Sequence, residues 1–327
     1  MIPAMLIAIP DDYQRLVPTL DCYTKLDGHE VRVVQGPTAD PGKLARELDA
    51  AEALVLIRER TAVTADLIAR LPRLKHIAQT GRSTHHIDVE ACTARGITVS
   101  TGTHASAHTI AEYTWAMILA SRRHIVALAQ TMQRGEWSNE LGLGVHGRTL
   151  GIHGFGKIGG LVAQIGKCFG MRVIAWGSEE SRKRAQEAGC EFVERKRDLY
   201  AKSDVLSLNL RLSGRSRHSI TAEDLDAMQP SALLVNTARA EIIAPGALVA
   251  ALKRGRPGYA AVDVYENEPV LGGNHPLLEM DNVLCTPHAA WIEKDMFESY
   301  FGEAFDNLVK FARGTPVNLV NPQALSG

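Results

Sequence analysis

One string limits what this chain can fold into more than any other. Gly154-Phe-Gly156-Lys-Ile-Gly159 follows the apolar run Thr149–His153 and opens a segment with helical spacing, Ile158–Phe169. A strand, a glycine turn and a helix in that order are the context in which G-x-G-x-x-G holds a dinucleotide pyrophosphate. The first glycine permits the tight turn, the second lets backbone approach the phosphates, and the third lets helix and strand pack closely, with the helix N-terminus facing the anion. Gly154, Gly156, Lys157, Ile158 and Gly159 are therefore the candidate cofactor-binding residues. A second string of the same spacing, Gly142-Leu-Gly144-Val-His-Gly147, precedes a strand. Nothing aims it at a phosphate, and it reads as a linker.

The turn lies mid-chain, after a complete α/β pattern. Met5–Ile9, Val31–Val34, Ala53–Ile57, Lys75–Gln79 and Ile97–Val99 are short apolar strand candidates, with helical spacing between several of them, as in Pro41–Ala51 and Ala65–Leu71. From Thr149 a second alternation begins, with strand candidates at Arg172–Trp176, Cys190–Val193, Asp204–Asn209, Ala232–Asn236, Tyr259–Val264 and Asn282–Thr286. Strands alternating with helices imply parallel sheets covered on both faces. The expected fold is α/β with two doubly wound parallel-sheet domains: a Rossmann cofactor domain, residues 104–292, inserted into a flavodoxin-like substrate domain made of 1–103 and 293–327. Asp295–Arg313 is an amphipathic helix returning to the outer domain. Thr109–Gln133 has no Gly or Pro and reads as one long helix or two abutting ones. It is too long and apolar for a linker alone, and is expected to pack a homodimer.

A length of 327 residues suits two domains. The 36 Lys+Arg nearly cancel 37 Asp+Glu, which argues against a nucleic-acid partner. No apolar run approaches the roughly 18 residues of a membrane span, and the first residues lack the basic region of a signal peptide. The odd count of 5 cysteines holds no C-x-x-C pair, so neither a disulfide framework nor a zinc ribbon is expected, and the cytoplasm is the default. The histidines near the substrate-side candidates, His85, His86, His104 and His108, show no metal-ligand spacing, and no metal site is expected.

Three strings sit at the ends of expected strands, where open α/β sheets bind ligands: Asn236-Thr-Ala-Arg239, Val262-Asp263-Val-Tyr-Glu-Asn-Glu268-Pro269 and Thr286-Pro287-His288. Here the chain resembles the D-isomer-specific 2-hydroxyacid dehydrogenases, the family of phosphoglycerate dehydrogenase and the glyoxylate/hydroxypyruvate reductases. The resemblance runs from IRERTAVTADLI through QTGRSTHHID, GFGKIG, LLVNTARAEII, VDVYENEP and CTPHAAW to PVNLVNP.

The resemblance implies hydride transfer between a nicotinamide cofactor and a D-2-hydroxy acid/2-keto acid pair. Arg239 would bind the substrate carboxylate and polarise the carbonyl. His288 would be proton donor and acceptor at the C2 oxygen, with Glu268 as its partner. Backbone amides around Thr80–Ser83, including Gly81, Arg82 and Ser83, would cup the carboxylate, and Arg58 aligns with an arginine that reaches substrate in some members. Thr237, Ala238 and Asp263 would lie on the cofactor side. The residue types suit the chemistry: histidine titrates near neutral pH, a carboxylate stabilises imidazolium, and the arginine fork grips a carboxylate bidentately.

Three departures bear on specificity. Arg82-Ser83-Thr84-His85-His86 replaces a smaller loop. Ala240-Glu241 stands where many members have Gly and a small or apolar residue. Gly177-Ser178 stands where the fingerprint expects an acid for the ribose hydroxyls, so NAD is expected with NADP possible, Ser178 and Arg182 being the candidate 2′-phosphate partners. Trp291 is either a pocket wall or core. Formate dehydrogenase, an alternative on this fold, carries Gln in place of the carboxylate partner, and Glu268 argues against it. A co-repressor-like NAD(H)-sensing binding module is the alternative from another class.

Overall fold

A computed structural model describes residues 4–36, 40–103, 106–137 and 140–326. His104 and the expected domain boundary at 104 lie outside the described residues. The chain divides into two compact units, Met1–Ala105 with Ile292–Gly327, and Ser106–Trp291.

In the first unit the strands are β1 (Leu6–Ile9), β2 (Glu30–Val33), β3 (Ala53–Leu56), β4 (His76–Gln79) and β5 (Thr98–Thr101). They form one parallel sheet in the order β2-β1-β3-β4-β5, the flavodoxin-like arrangement. β3 and β4 are buried at every residue, as a sheet covered on both faces requires. One cluster joins Leu54, Ile77 and Val99 to helices Pro41–Leu48, Ala65–Ala69 and Val89–Ala94. Asp40, Thr64 and Asp88 cap those helices by accepting from backbone N–H groups in the first turn. Helix Lys294–Ala312 buries Phe297, Tyr300, Phe301, Phe305 and Leu308.

In the second unit the strands are β6 (Thr149–His153), β7 (Arg172–Trp176), β8 (Glu191–Phe192), β9 (Val205–Leu208), β10 (Leu233–Asn236), β11 (Tyr259–Val262) and β12 (Val283–Cys285). Their order, β12-β11-β10-β9-β6-β7-β8, is the Rossmann arrangement extended by one strand. Buried clusters lie on its two faces, one built around Leu206, Leu234 and Ala260, the other around Leu150, Val235 and Ala261. The fold class is thus two doubly wound parallel α/β sheets, the second unit lying within the sequence of the first.

The register matters for the site. Trp176 pairs with His153, His153 with Leu208, Leu208 with Asn236, Asn236 with Val262, and Val262 with Cys285. These six residues form one row across the carboxyl edge of the sheet. Gly177, Gly154, Asn209, Thr237, Asp263 and Thr286 each stand one residue beyond it.

The segment Thr109–Gln133 is two helices, Ala107–Arg122 and Ile125–Gln133. The break is His124, which takes a left-handed φ of 52° that no helix interior allows. Neither Gly nor Pro marks it in the sequence. The expected linker Gly142–Gly147 has no regular structure, and Gly142 lies so close to the end of the first helix that a side chain there would meet the Arg122 carbonyl at 2.8 Å.

Candidate active site

The glycine turn is built from close approaches. Gly154 has φ +92°, and a side chain on it would meet the Asn209 carbonyl and the Leu210 methyl at 2.9 Å. A side chain at Gly159 would come within 2.4 Å of the Gly154 carbonyl. Around Gly156 there is open space, which leaves backbone accessible where helix Lys157–Cys168 begins. The Phe155 N–H donates to Ser181 Oγ at 3.3 Å, tying the turn to the next strand–helix connection. This cradle fits a dinucleotide pyrophosphate: Gly154 to Gly159 would hold it by backbone, with Lys157 and Ile158 as the first helical residues.

The ribose-side slot holds Gly177 and Ser178. Ser178 caps helix Glu179–Glu187, accepting from the Ser181 N–H. Arg182, the other candidate for a 2′-phosphate, is engaged by acidic side chains in this structure. Its guanidinium donates to both oxygens of Glu194, at 2.8 and 2.9 Å, lies 3.3 Å from Glu179 and stacks over Phe192. The helix starts at Glu179, which places Arg182 one turn in, beside Glu194.

Beyond β10, Asn236 clamps the turn that carries Arg239. Its Nδ2 donates to the Arg239 carbonyl at 2.9 Å and its Oδ1 accepts from the Ala238 N–H at 3.0 Å. Thr237 bonds Thr114 at 2.8 Å, and Arg239 Nη1 donates to the Ala238 carbonyl at 2.7 Å. Sequence reading placed Asn236 at the head of this string but gave it no role, because a polar residue ending a strand does not show in the sequence what it will bond.

Beyond β11 and β12 the central pair forms. His288 Nδ1 lies 2.5 Å from Glu268 Oε2, while Glu268 Oε1 accepts from the Tyr265 N–H at 2.8 Å. A carboxylate is acceptor-only, so Nδ1 carries the proton in this contact and Nε2 is the ring nitrogen that the carboxylate does not engage. His288 sits at φ +51°, a conformation that a non-glycine residue holds only when its surroundings enforce it. Asp263 does the enforcing. It is fully buried, its Oδ1 accepts from Thr286 Oγ1 at 2.6 Å and the Ala289 N–H at 2.8 Å, and its Oδ2 accepts from the Ala290 N–H at 2.8 Å. Burial raises the Asp263 pKa, against the pull of these donors and of His288. Its carboxylate thus binds the loop on both sides of His288.

In the first unit, Arg58 and Gly81 stand beyond β3 and β4. Thr80 Oγ1 accepts from the Arg58 N–H and donates to the Leu56 carbonyl, both at 2.8 Å. Arg58 is also left-handed, at φ 52°, and its Nη1 donates to the Tyr300 hydroxyl at 3.2 Å. A side chain at Gly81, which has φ +83°, would meet that Nη1 at 3.3 Å. Arg82 donates to the Thr103 carbonyl, and Ser83 Oγ pairs with His85 Nδ1 at 2.7 Å. Both ring nitrogens of His86 are buried without a hydrogen-bond partner among the described residues, and burial lowers its pKa to about 4. His108 is exposed and Trp291 buried. Among the described residues, no three His, Cys, Asp or Glu side chains group as metal ligands.

Known proteins share both the sequence and the architecture. Residues 115–290 match the D-isomer specific 2-hydroxyacid dehydrogenase, NAD binding domain. A glyoxylate reductase of Aeropyrum pernix is 40% identical over 291 residues, covering 86% of this chain and 85% of that one. A D-3-phosphoglycerate dehydrogenase of Methanocaldococcus jannaschii is 37% identical over 261 residues, covering 79% of this chain but 49% of that longer one. A crystal structure of an oxidoreductase from Ralstonia solanacearum, proposed to be a D-3-phosphoglycerate dehydrogenase, has a TM-score of 0.95 and 45% identity, covering 99% of each chain. The chain therefore belongs to the D-isomer-specific 2-hydroxyacid dehydrogenases, oxidoreductases that use a nicotinamide cofactor to move a hydride between 2-hydroxy and 2-keto acids.

Proposed function

We propose that this enzyme reduces a small 2-keto acid to the D-2-hydroxy acid with His288 as proton donor, and runs the reverse reaction with His288 as base. The observation that carries the reading is the 2.5 Å contact between Glu268 Oε2, on the loop after β11, and His288 Nδ1, on the loop after β12, β11 being the neighbour of the strand β10 that leads to Arg239. The nicotinamide, when bound, supplies or accepts the hydride. Arg239 grips the substrate carboxylate through its planar fork and draws charge from the carbonyl. His288 delivers a proton from Nε2 to the C2 oxygen as that oxygen becomes an alkoxide, and Glu268 stabilises the imidazolium that must be present beforehand. Asp263 and Asn236 hold the two loops in place, so that orientation is set before substrate arrives.

We assign residues Ser106–Trp291 as the cofactor domain, with Gly154, Gly156, Lys157, Ile158, Gly159, Ser178, Thr237 and Ala238 as cofactor-binding residues. In the other unit we assign Arg58, Gly81, Arg82 and Ser83 to substrate binding. The absence of an acid at Gly177 supports weak discrimination between NADH and NADPH. No described helix is long and apolar enough to cross a membrane, and a cytoplasmic homodimer is the form we propose. Replacing His288→Ala tests the central claim. Keto-acid reduction falls by about 10²–10⁴-fold while nucleotide affinity, measured by calorimetry, stays close to wild type. Near wild-type turnover in that variant refutes the assignment.

A further inference from the structure

The adenosine end of the cradle holds a feature that neither the glycine turn nor the catalytic loops use. Gly154 is flanked on one side by the exit of β9, with the Asn209 carbonyl and Leu210 methyl 2.9 Å from a side chain built on it. On the other side, a side chain built on Gly177 would lie 3.6 Å from the Gly154 Cα. The loops after β7 and β9 therefore border one groove with Gly154 between them. Strand spacing makes it about 10 Å wide, two intervals of about 4.8 Å. The strand order reverses here, which is where such sheets seat a dinucleotide.

The β7 side of the groove offers no acid to ribose hydroxyls. A side chain at Gly177 would also meet Ser181 Oγ at 2.9 Å, and Ser181 Oγ is the acceptor for the Phe155 N–H of the glycine turn. The nearby Arg182 is held by Glu194 and Glu179, and Arg184 by Glu180 at 3.0 Å.

The β9 side is different. The loop Leu210-Arg-Leu-Ser-Gly-Arg-Ser-Arg217 is knotted by its serines. Ser216 Oγ donates to the Arg211 carbonyl at 2.6 Å and accepts from the Ser213 N–H at 2.8 Å, while the Arg217 N–H donates to the Ser213 carbonyl at 2.9 Å. Leu210 and Leu212 pack on the buried cluster below. The knot holds Arg211 and Arg215 in one tight turn, both exposed, and among the described residues neither guanidinium has a hydrogen-bond or ion-pair partner. Arg217, the third arginine, reaches Glu241 at 3.9 Å.

We propose that Arg211 and Arg215 form the anion site for the adenosine 2′-phosphate of an NADP-type cofactor, with the Ser178 hydroxyl as donor from the opposite wall. The assignment rests on the reading of this unit as a nicotinamide-cofactor domain. Guanidinium forks match phosphate oxygens, and one charged hydrogen bond of this kind already amounts to about tenfold or more in affinity.

The test is calorimetric titration of the purified full-length protein with adenosine 2′,5′-bisphosphate and with adenosine 5′-monophosphate. The expected result is tighter binding of the bisphosphate by about tenfold or more. Arg211→Ala/Arg215→Ala together erase that preference and leave the monophosphate within about twofold, and Arg182→Ala preserves it. A wild type that binds both ligands equally overturns the anion site while leaving the nucleotide domain intact. So does a preference that vanishes in Arg182→Ala or Lys183→Ala and survives the double substitution. A wild type that binds neither ligand overturns the cofactor reading itself, and the anion site with it.

Discussion

At residue scale the site depends on carboxylates doing two different jobs. Glu268 bonds the His288 imidazole, the proposed proton donor, and Asp263 holds the backbone that carries it. The distinction is testable with Asp263→Asn. The amide keeps one acceptor oxygen but sets an N–H₂ group either against the Thr286 hydroxyl and the Ala289 N–H or against the Ala290 N–H. A buried donor facing donors costs about 1–3 kcal/mol, and the left-handed backbone at His288 loses what enforces it. The expected outcome is a lower melting temperature together with a fall in kcat of about tenfold or more, with the KM for the nucleotide changing much less. A rise confined to the nucleotide KM contradicts this role and returns Asp263 to direct cofactor contact.

At the scale of elements, two strands carry fully buried histidines. His76 in β4 bonds Thr98 Oγ1 at 2.8 Å and stacks on Phe311. His153, the last residue of β6, bonds the Tyr200 hydroxyl at 2.9 Å directly before the glycine turn. Burial lowers both pKa values to about 3. In the unfolded chain these rings titrate near 6.5. Above that pH both states hold them neutral and the full stability is present. As pH falls from about 6.5 toward 3, the unfolded chain takes up protons that the folded chain refuses, and stability is lost. The loss is about 1.4 kcal/mol per pH unit for each ring. Urea unfolding at pH 7.5 and pH 5.5 should show this slope, and His153→Gln should reduce it by roughly half a histidine pair's share. An identical slope in the variant means that His153 does not contribute.

At the scale of the whole molecule, the nine-residue helix Ile125–Gln133 has an apolar composition and no buried residue. Ile125, Val126 and Met132 are 52%, 44% and 57% exposed, and Trp137 and Leu141 just beyond are 88% and 92% exposed. A monomer would leave all of this in water, and a second copy of the chain is the partner proposed above. Light scattering at micromolar concentration should give twice the chain mass of 35.6 kDa, and Ile125→Glu/Met132→Glu should shift the protein toward monomer. A wild-type monomer under those conditions refutes the dimer.

What was legible in the sequence was the local pattern. Apolar runs between helical stretches specified two parallel sheets, because strands buried on both faces must be apolar throughout. The glycine turn was readable because its backbone demands glycine at Gly154 and Gly159. The strings bearing Arg239, Glu268 and His288 were readable because they recur as a family pattern. The strand register decided what no string could. It brought Asn236, Asp263 and Thr286 to one edge from segments separated by more than twenty residues. It was also tertiary contact that gave Asp263 the loop around His288 and tied Arg182 to Glu194, while among the described residues the Arg211 and Arg215 guanidiniums have no partner. Those outcomes depend on which side chains meet across elements, and spacing along one segment carries no record of its neighbours.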